Sequence, residues 1–213
     1  MKSLEARDLC CIRDDRTLFK QLNFDINSGQ MLLIEGNNGS GKTSLLRILS
    51  GIRMPEEGTV NWIKTIDNKK HSASVHQQDG FVGDMGFLGH LDGNKLDLTV
   101  TENINFALSL SSANDEPAIK EVLERVDLAL FDDVLVSNLS AGQRRRLALA
   151  RLILSGTTLW IMDEPFTALD KTGIGVIEKE FLKHLENGGM IAMTTHHSIS
   201  FQDKNTIRLN LSE

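Results

Sequence analysis

Residues 36–43 read G-N-N-G-S-G-K-T, which fits G-x-x-x-x-G-K-[ST]. The chemistry this spacing permits is phosphate binding. Glycines let backbone N–H groups approach phosphate oxygens closely, and a helix beginning at the lysine adds positive potential at the same point. Gly36, Asn37, Asn38, Gly39, Ser40, Gly41, Lys42, Thr43 and Ser44 are therefore the candidate loop for a nucleotide's phosphates. Lys42 is expected to reach the β- and γ-phosphates, and the Thr43 hydroxyl to hold Mg²⁺. A second stretch, L-W-I-M-D-E at 159–164, is an apolar run ending in two acids. Asp163 is expected to bind Mg²⁺, directly or through water, and Glu164 to act as general base on an attacking water. Many strands end in acids, so this second pattern has weight only beside the first.

L-S-A-G-Q at 139–143 precedes Arg144-Arg145-Arg146. Ser140 stands where it can cap the next helix, whose first N–H groups can then meet a phosphate. The arginines are expected along a solvated or phosphate-facing helix surface. A nucleic-acid patch is the weaker reading, because the chain carries a net charge of −6 and nucleic-acid binders need a basic face.

These motifs need elements to position them. Residues 3–12, 18–26 and 59–63 read as strands; Leu22, Phe24 and Ile26 alternate with polar neighbours. The apolar runs Met31 to Ile34, Leu159 to Met162 and Met190 to Met193 predict strands buried on both faces. Helices are predicted after the glycine loop (Leu45, Leu46, Leu49), from Thr99, at Ile119–Val126, over 140–155, and at Ile174, Ile177, Phe181 and Leu185. The last of these ends at Gly188-Gly189. Residues 65–85 read as a solvated loop or hairpin. Strands alternating with helices indicate an α/β fold with a parallel sheet, and the block near 99–155 looks like a helical insertion.

Composition agrees. A chain of 213 residues with 40% hydrophobic and 24% charged content can bury a core as one domain or as one domain with two lobes. The two cysteines, Cys10 and Cys11, are adjacent and would point to opposite faces of a strand, so no disulfide framework is expected and a reducing compartment is the default. No signal-peptide core and no run of about 18 apolar residues is present, so any membrane role is expected to come through a partner.

The P-loop, L-S-A-G-Q, strand-Asp-Glu, T-A-L-D (167–170) and T-T-H (194–196), in this order, resemble the nucleotide-binding subunits of ABC ATPases. The signature departs from L-S-G-G-Q only at Ala141. The resemblance implies a P-loop NTPase with a RecA-like catalytic lobe (a mixed sheet plus N-terminal antiparallel strands, about 1–92 and 156–213) and a helical subdomain at about 93–155. It also implies a homodimer that sandwiches two ATP molecules, with Ser140, Gly142 and Gln143 of one chain against the γ-phosphate held by the other. His196 matches the switch histidine near Glu164, and Asp170 matches the loop joining the two sites. His197 has no assigned role. The family places an aromatic residue near position 13 to stack on adenine; here that position is Arg13, whose planar side chain can also stack.

R-T-L-F (16–19), the 159–170 stretch, G-G-M-I-A-M-T-T-H (188–196) and F-L-G-H (87–90) are similar to the ATP-binding subunits of the haem exporters of cytochrome c maturation. That resemblance implies a peripheral subunit on the cytoplasmic face of a bacterial inner membrane, partnered by integral membrane subunits. ATP hydrolysis there would drive release of a haem-loaded periplasmic chaperone. No haem site is expected in the chain itself: C-x-x-C-H is absent, and His71 and His76 lie in the polar loop. An ABC transporter of another cargo stays open. A soluble ABC ATPase acting on DNA or ribosomes is disfavoured, since Ser140 follows Lys42 by only 98 positions without sustained heptads. A non-hydrolysing structural subunit is disfavoured by Glu164 together with His196.

The loop G-F-L-G-H-L-D-G at 86–93 departs from the family. Its expected glutamine is replaced by Leu91, and Gln77 and Gln78 lie too far upstream. Either His90, with Asp92 as second candidate, supplies the missing polar contact to water or Mg²⁺, or the loop only couples motion to a membrane partner and His90 packs or caps.

Overall fold

The computed structural model describes residues 1–77, 81–109, 116–200 and 205–212; Gln78 lies outside them. Two sheets divide the strands by direction. Strands β1 (Lys2–Arg13), β2 (Arg16–Asn27), β4 (Glu57–Ile66) and β5 (Lys69–Ser74) form an antiparallel sheet in the order β2-β1-β4-β5. Strands β3 (Met31–Glu35), β6 (Met85–Leu88), β7 (Leu159–Asp163), β8 (Met190–Thr194) and β9 (Thr206–Asn210) form a parallel sheet in the order β6-β7-β8-β3-β9. The polar stretch after Ile66 is the hairpin strand β5. Strands β6 and β9 have no counterpart among the predicted strands.

Five helices complete the fold: α1 (Lys42–Leu49), α2 (Val100–Ser109), α3 (Glu116–Arg125), α4 (Ala141–Leu154) and α5 (Lys171–Glu186). The pleat sorts the parallel sheet into two cores, because successive side chains point to opposite faces. Leu32, Ile34, Ile161 and Ala192 pack with α1 and the antiparallel sheet. Leu33, Met162, Ile191 and Met193 pack with α5 and with Val100, Ile104, Leu123 and Leu147 from the helical block. The helical block thus shares a core with one sheet face. Cys10 and Cys11 are both buried and free, the register of β1 being interrupted around them.

Parallel strands carry their ligand-binding groups at their carboxyl ends. At that edge β3 delivers the glycine loop, β7 delivers Asp163 and Glu164, β8 leads to His196, and β6 leads to Gly89 and His90. The register of β7 against α5 is pinned by an aromatic stack. The rings of Trp160 and His184 lie 3.7 Å apart and 7° from parallel, and His184 Nε2 pairs with the Thr158 carbonyl at 3.2 Å. Gly188, at φ +80, turns the chain out of α5, while a Cβ on Gly189 would stand 2.3 Å from His184 Nε2.

Burial lowers the pKa of His184 from 6.5 to about 4, against the backbone groups of Met190 and Thr158 that favour its charged form. The unfolded chain therefore binds this proton more tightly. The linked stability is complete above about pH 6.5 and declines as pH falls towards 4, by ~3 kcal/mol in all. Denaturant melts of the parent and of His184→Phe across this range check it: the parent should lose the extra stability and the variant should not.

Candidate active site

The glycine loop closes on itself before α1 begins. Gly41 sits at φ +103, and a Cβ there would meet Leu18 Cβ at 3.0 Å and Phe19 at 3.2 Å, so only glycine fits. No side chain caps α1, which leaves its first N–H groups facing the loop. Lys42 Nζ donates to the carbonyls of Gly36 at 2.7 Å and Asn37 at 3.2 Å, holding its ammonium over the loop. Asn37 N donates to Ser212 Oγ at 2.8 Å, which ties the loop to the end of β9.

Opposite the loop stands the acidic end of β7. Thr43 Oγ1 donates to Asp163 Oδ2 at 2.8 Å, and Thr194 Oγ1 donates to Asp163 Oδ1 at 2.7 Å. The same Thr194 oxygen accepts the Glu164 backbone N–H at 3.0 Å. Glu164 has φ +51, a left-handed conformation that a glutamate keeps only where its surroundings over-determine it. Its carboxylate meets His196 twice: it accepts the His196 N–H at 3.2 Å through Oε2, and Oε1 lies 3.5 Å from His196 Nε2.

A cavity of about 410 Å³ joins these groups. Its walls include Arg13, Asn38, Gly39, Gly41, Lys42, Thr43, Ser44, His90, Asp163, Glu164 and His196. Four further wall residues, Leu18, Arg47, Phe87 and Gly89, were not among the site residues expected from the sequence. Arg47, one helical turn beyond Thr43, adds a third cation to Lys42 and Arg13. Three cations around two acids suit a polyphosphate carrying a divalent cation. The oxygens of Thr43 and Asp163, 2.8 Å apart in the cavity wall, are the hard donors that Mg²⁺ takes.

Ser140, Gly142, Gln143 and Asp170 do not line this cavity. Ser140 caps α4 as expected: its Oγ accepts Gln143 N–H at 3.2 Å, and Gln143 Oε1 accepts Ser140 N–H at 2.8 Å. Asp170 caps α5 by accepting Gly173 N–H at 2.7 Å. A Cβ on Gly142 would meet the Ala168 carbonyl at 2.8 Å, so the two capped turns pack closely.

Two expectations are corrected. The arginine run is not uniformly solvated: Arg145 is 2% exposed. All five of its N–H donors are used: Nε on the Pro165 carbonyl (3.1 Å), Nη1 on the Gly89 carbonyl (3.1 Å) and Asp92 Oδ1 (2.8 Å), Nη2 on the carbonyls of Asp163 (2.8 Å) and Glu164 (2.7 Å). Asp92, the second candidate for the polar contact, is not in the wall of this cavity; its Oδ1 accepts from Arg145. His90 lines the cavity, whereas Leu91 is 84% exposed.

The fold and the site define an ATP-binding subunit of the ABC transporter class; the family model described as ABC transporter matches residues 19–167. Within that class the chain belongs to the cytochrome c biogenesis ATP-binding export proteins. It is 44% identical to the CcmA protein of that description from Aliivibrio fischeri, over 99% of this chain and 100% of that one. It is 46% identical to the Yersinia pestis bv. Antiqua protein (98% and 93%) and 45% identical to that of Vibrio cholerae (96% and 96%). A Pyrococcus furiosus protein described as an ABC transporter ATP-binding protein shares the fold, with TM-score 0.81 at 24% identity over 98% of this chain and 97% of that one.

Thr194 holds Asp163 and Glu164 in one geometry through a single hydroxyl. Thr194→Val keeps the shape and leaves the Glu164 N–H and Asp163 Oδ1 without this partner. Loss of about 1–2 kcal/mol of stability is expected, with kcat for ATP falling more than KM rises. Thermal melts and steady-state ATPase assays read both.

Proposed function

We propose that the chain is the ATP-hydrolysing subunit of a bacterial cytochrome c maturation exporter. The observation that carries the reading is the Lys42–Thr43–Asp163–Glu164–His196 cluster around one cavity, in a chain alike over its whole length to export proteins of that system. The chain is one ABC ATPase domain, with a catalytic lobe at about 1–92 and 156–213 and a helical subdomain at about 93–155.

ATP lies with its phosphates on the N–H groups of Gly36–Ser44, countered by Lys42. Thr43 and Asp163 would hold Mg²⁺, which would supply neutralisation of the phosphate charge. Glu164 accepts a proton from the attacking water, and His196 fixes the Glu164 carboxylate and faces the γ-phosphate. Arg13 stacks on adenine, and His90 offers the polar contact that Leu91 does not. Ser140, Gly142 and Gln143 do not line their own chain's cavity, which supports a homodimer in which they close the partner's site and Asp170 links the two. The likeness to export proteins of that system supports attachment through integral membrane subunits at the cytoplasmic face of the inner membrane; among the described residues no helix is long and apolar enough to cross a membrane. The cargo step, release of the haem-loaded chaperone, follows the partners and not this chain. No nucleic-acid contact and no haem site belong to this reading.

Glu164→Gln should bind ATP as the parent does, accumulate as a dimer and hydrolyse at least 100-fold more slowly, because only the proton acceptor is lost. Lys42→Ala should bind ATP at least tenfold more weakly. Nucleotide titration, sedimentation with and without Mg-ATP, and phosphate release measure these. Parent-like turnover in Glu164→Gln removes Glu164 from the mechanism. Pull-down from bacterial membranes tests the partners; recovery of integral subunits of another transporter would reassign the cargo.

A further inference from the structure

We infer that Arg145 is a positioning residue that relays the state of Asp92 to Glu164. The inference rests on Glu164 acting in ATP hydrolysis as read above. Arg145 is buried, and Asp92 is its one carboxylate partner among the described residues; the other four contacts are backbone carbonyls. A buried cation left with dipoles alone is strongly destabilised, so the guanidinium holds its place only while Asp92 holds it. Three of the four carbonyls belong to Asp163, Glu164 and Pro165, and these bonds help confine the strained backbone of Glu164 at φ +51. The fourth, Gly89, precedes His90 at the cavity wall.

Asp92 also has a second face. Its side chain keeps 26% exposure and forms part of the wall of a separate groove of about 690 Å³ with Val82, Phe87, Leu108, Arg151 and Leu152. Arg151 Nη1 meets the Asp92 carbonyl at 3.3 Å from that side. Phe87 borders both the groove and the catalytic cavity. Displacing the Asp92 carboxylate towards the groove withdraws the counter-charge of Arg145, and the carbonyls that fix Glu164 lose their donors. A loop change at 89–92 thereby reaches the general base without touching nucleotide.

The test is a double-mutant cycle in the full chain with Asp92→Asn, Arg145→Lys and the pair, plus Asp92→Glu as the conservative variant. Asp92→Asn should lower kcat by about tenfold while ATP affinity stays within twofold, because the phosphate loop is untouched. Arg145→Lys, with three donors in place of five, should act in the same direction. The pair should lose little more than either single variant, and Asp92→Glu should recover part of kcat. Amide exchange over 163–168 should quicken in Asp92→Asn. Additive effects, a proportional loss of ATP affinity, or unchanged kcat and exchange would each overturn the relay. A parent chain that neither binds nor hydrolyses ATP would instead sink the functional reading, and the exchange comparison would still decide whether Asp92 controls the 163–168 backbone.

Discussion

A single buried guanidinium ties three segments that sequence separates widely. Arg145 on α4 binds the carbonyls at the end of β7 and the turn after β6, and its five donors have five acceptors. An arginine cannot be neutralised at ordinary pH, so this cation must be fully satisfied or the site rearranges. The constraint fixes where α4 begins relative to Asp163 and Glu164. It therefore fixes the direction in which Ser140 and Gln143 face.

That geometry has a consequence for the chemistry. The phosphate loop, the two acids and His196 converge at the carboxyl edge of the parallel sheet, whereas the capped start of α4 lies outside their cavity. In the proposed function these are two half-sites, a loop-plus-acid half and a capped helix N-terminus. Each is the kind of surface the other lacks, and a second copy is the simplest way for the two to meet at one γ-phosphate. Thr194 and Arg145 together make the acid half rigid, one by a hydroxyl bridge and the other by carbonyl bonds.

Much of this was legible in the residues. G-N-N-G-S-G-K-T carries its own mechanism, and the apolar runs at 31–34, 159–162 and 190–193 are strands because both their faces are buried. The capping box at Ser140 and Gln143 is a local device with a local signature. Strand β6 was not legible: M-G-F-L is four residues long and contains a glycine, and edge pairing with β7 makes it a strand. Strand β9, T-I-R-L-N, does alternate, but it is short and gains its identity from pairing with β3. Arg145 was hidden by its neighbours. Within three arginines only helical phase distinguishes it: it lies three and four residues before Ala148 and Leu149, on the buried face of α4. Leu91 was legible as a departure, but only the structure shows that Asp92 serves Arg145 and that His90 borders the cavity.

The central claim is that the 140–143 turn of one chain completes the phosphate site of another. Cross-linking tests it most directly. Asn38 and Ala141 are exposed on the two half-sites, and the native cysteines are buried, so an Asn38→Cys/Ala141→Cys chain can report their meeting under mild oxidation. The account predicts a disulfide-linked dimer that forms with Mg-ATP and not without nucleotide. A chain that binds ATP yet stays monomeric under oxidation, or that cross-links equally well without nucleotide, would contradict it.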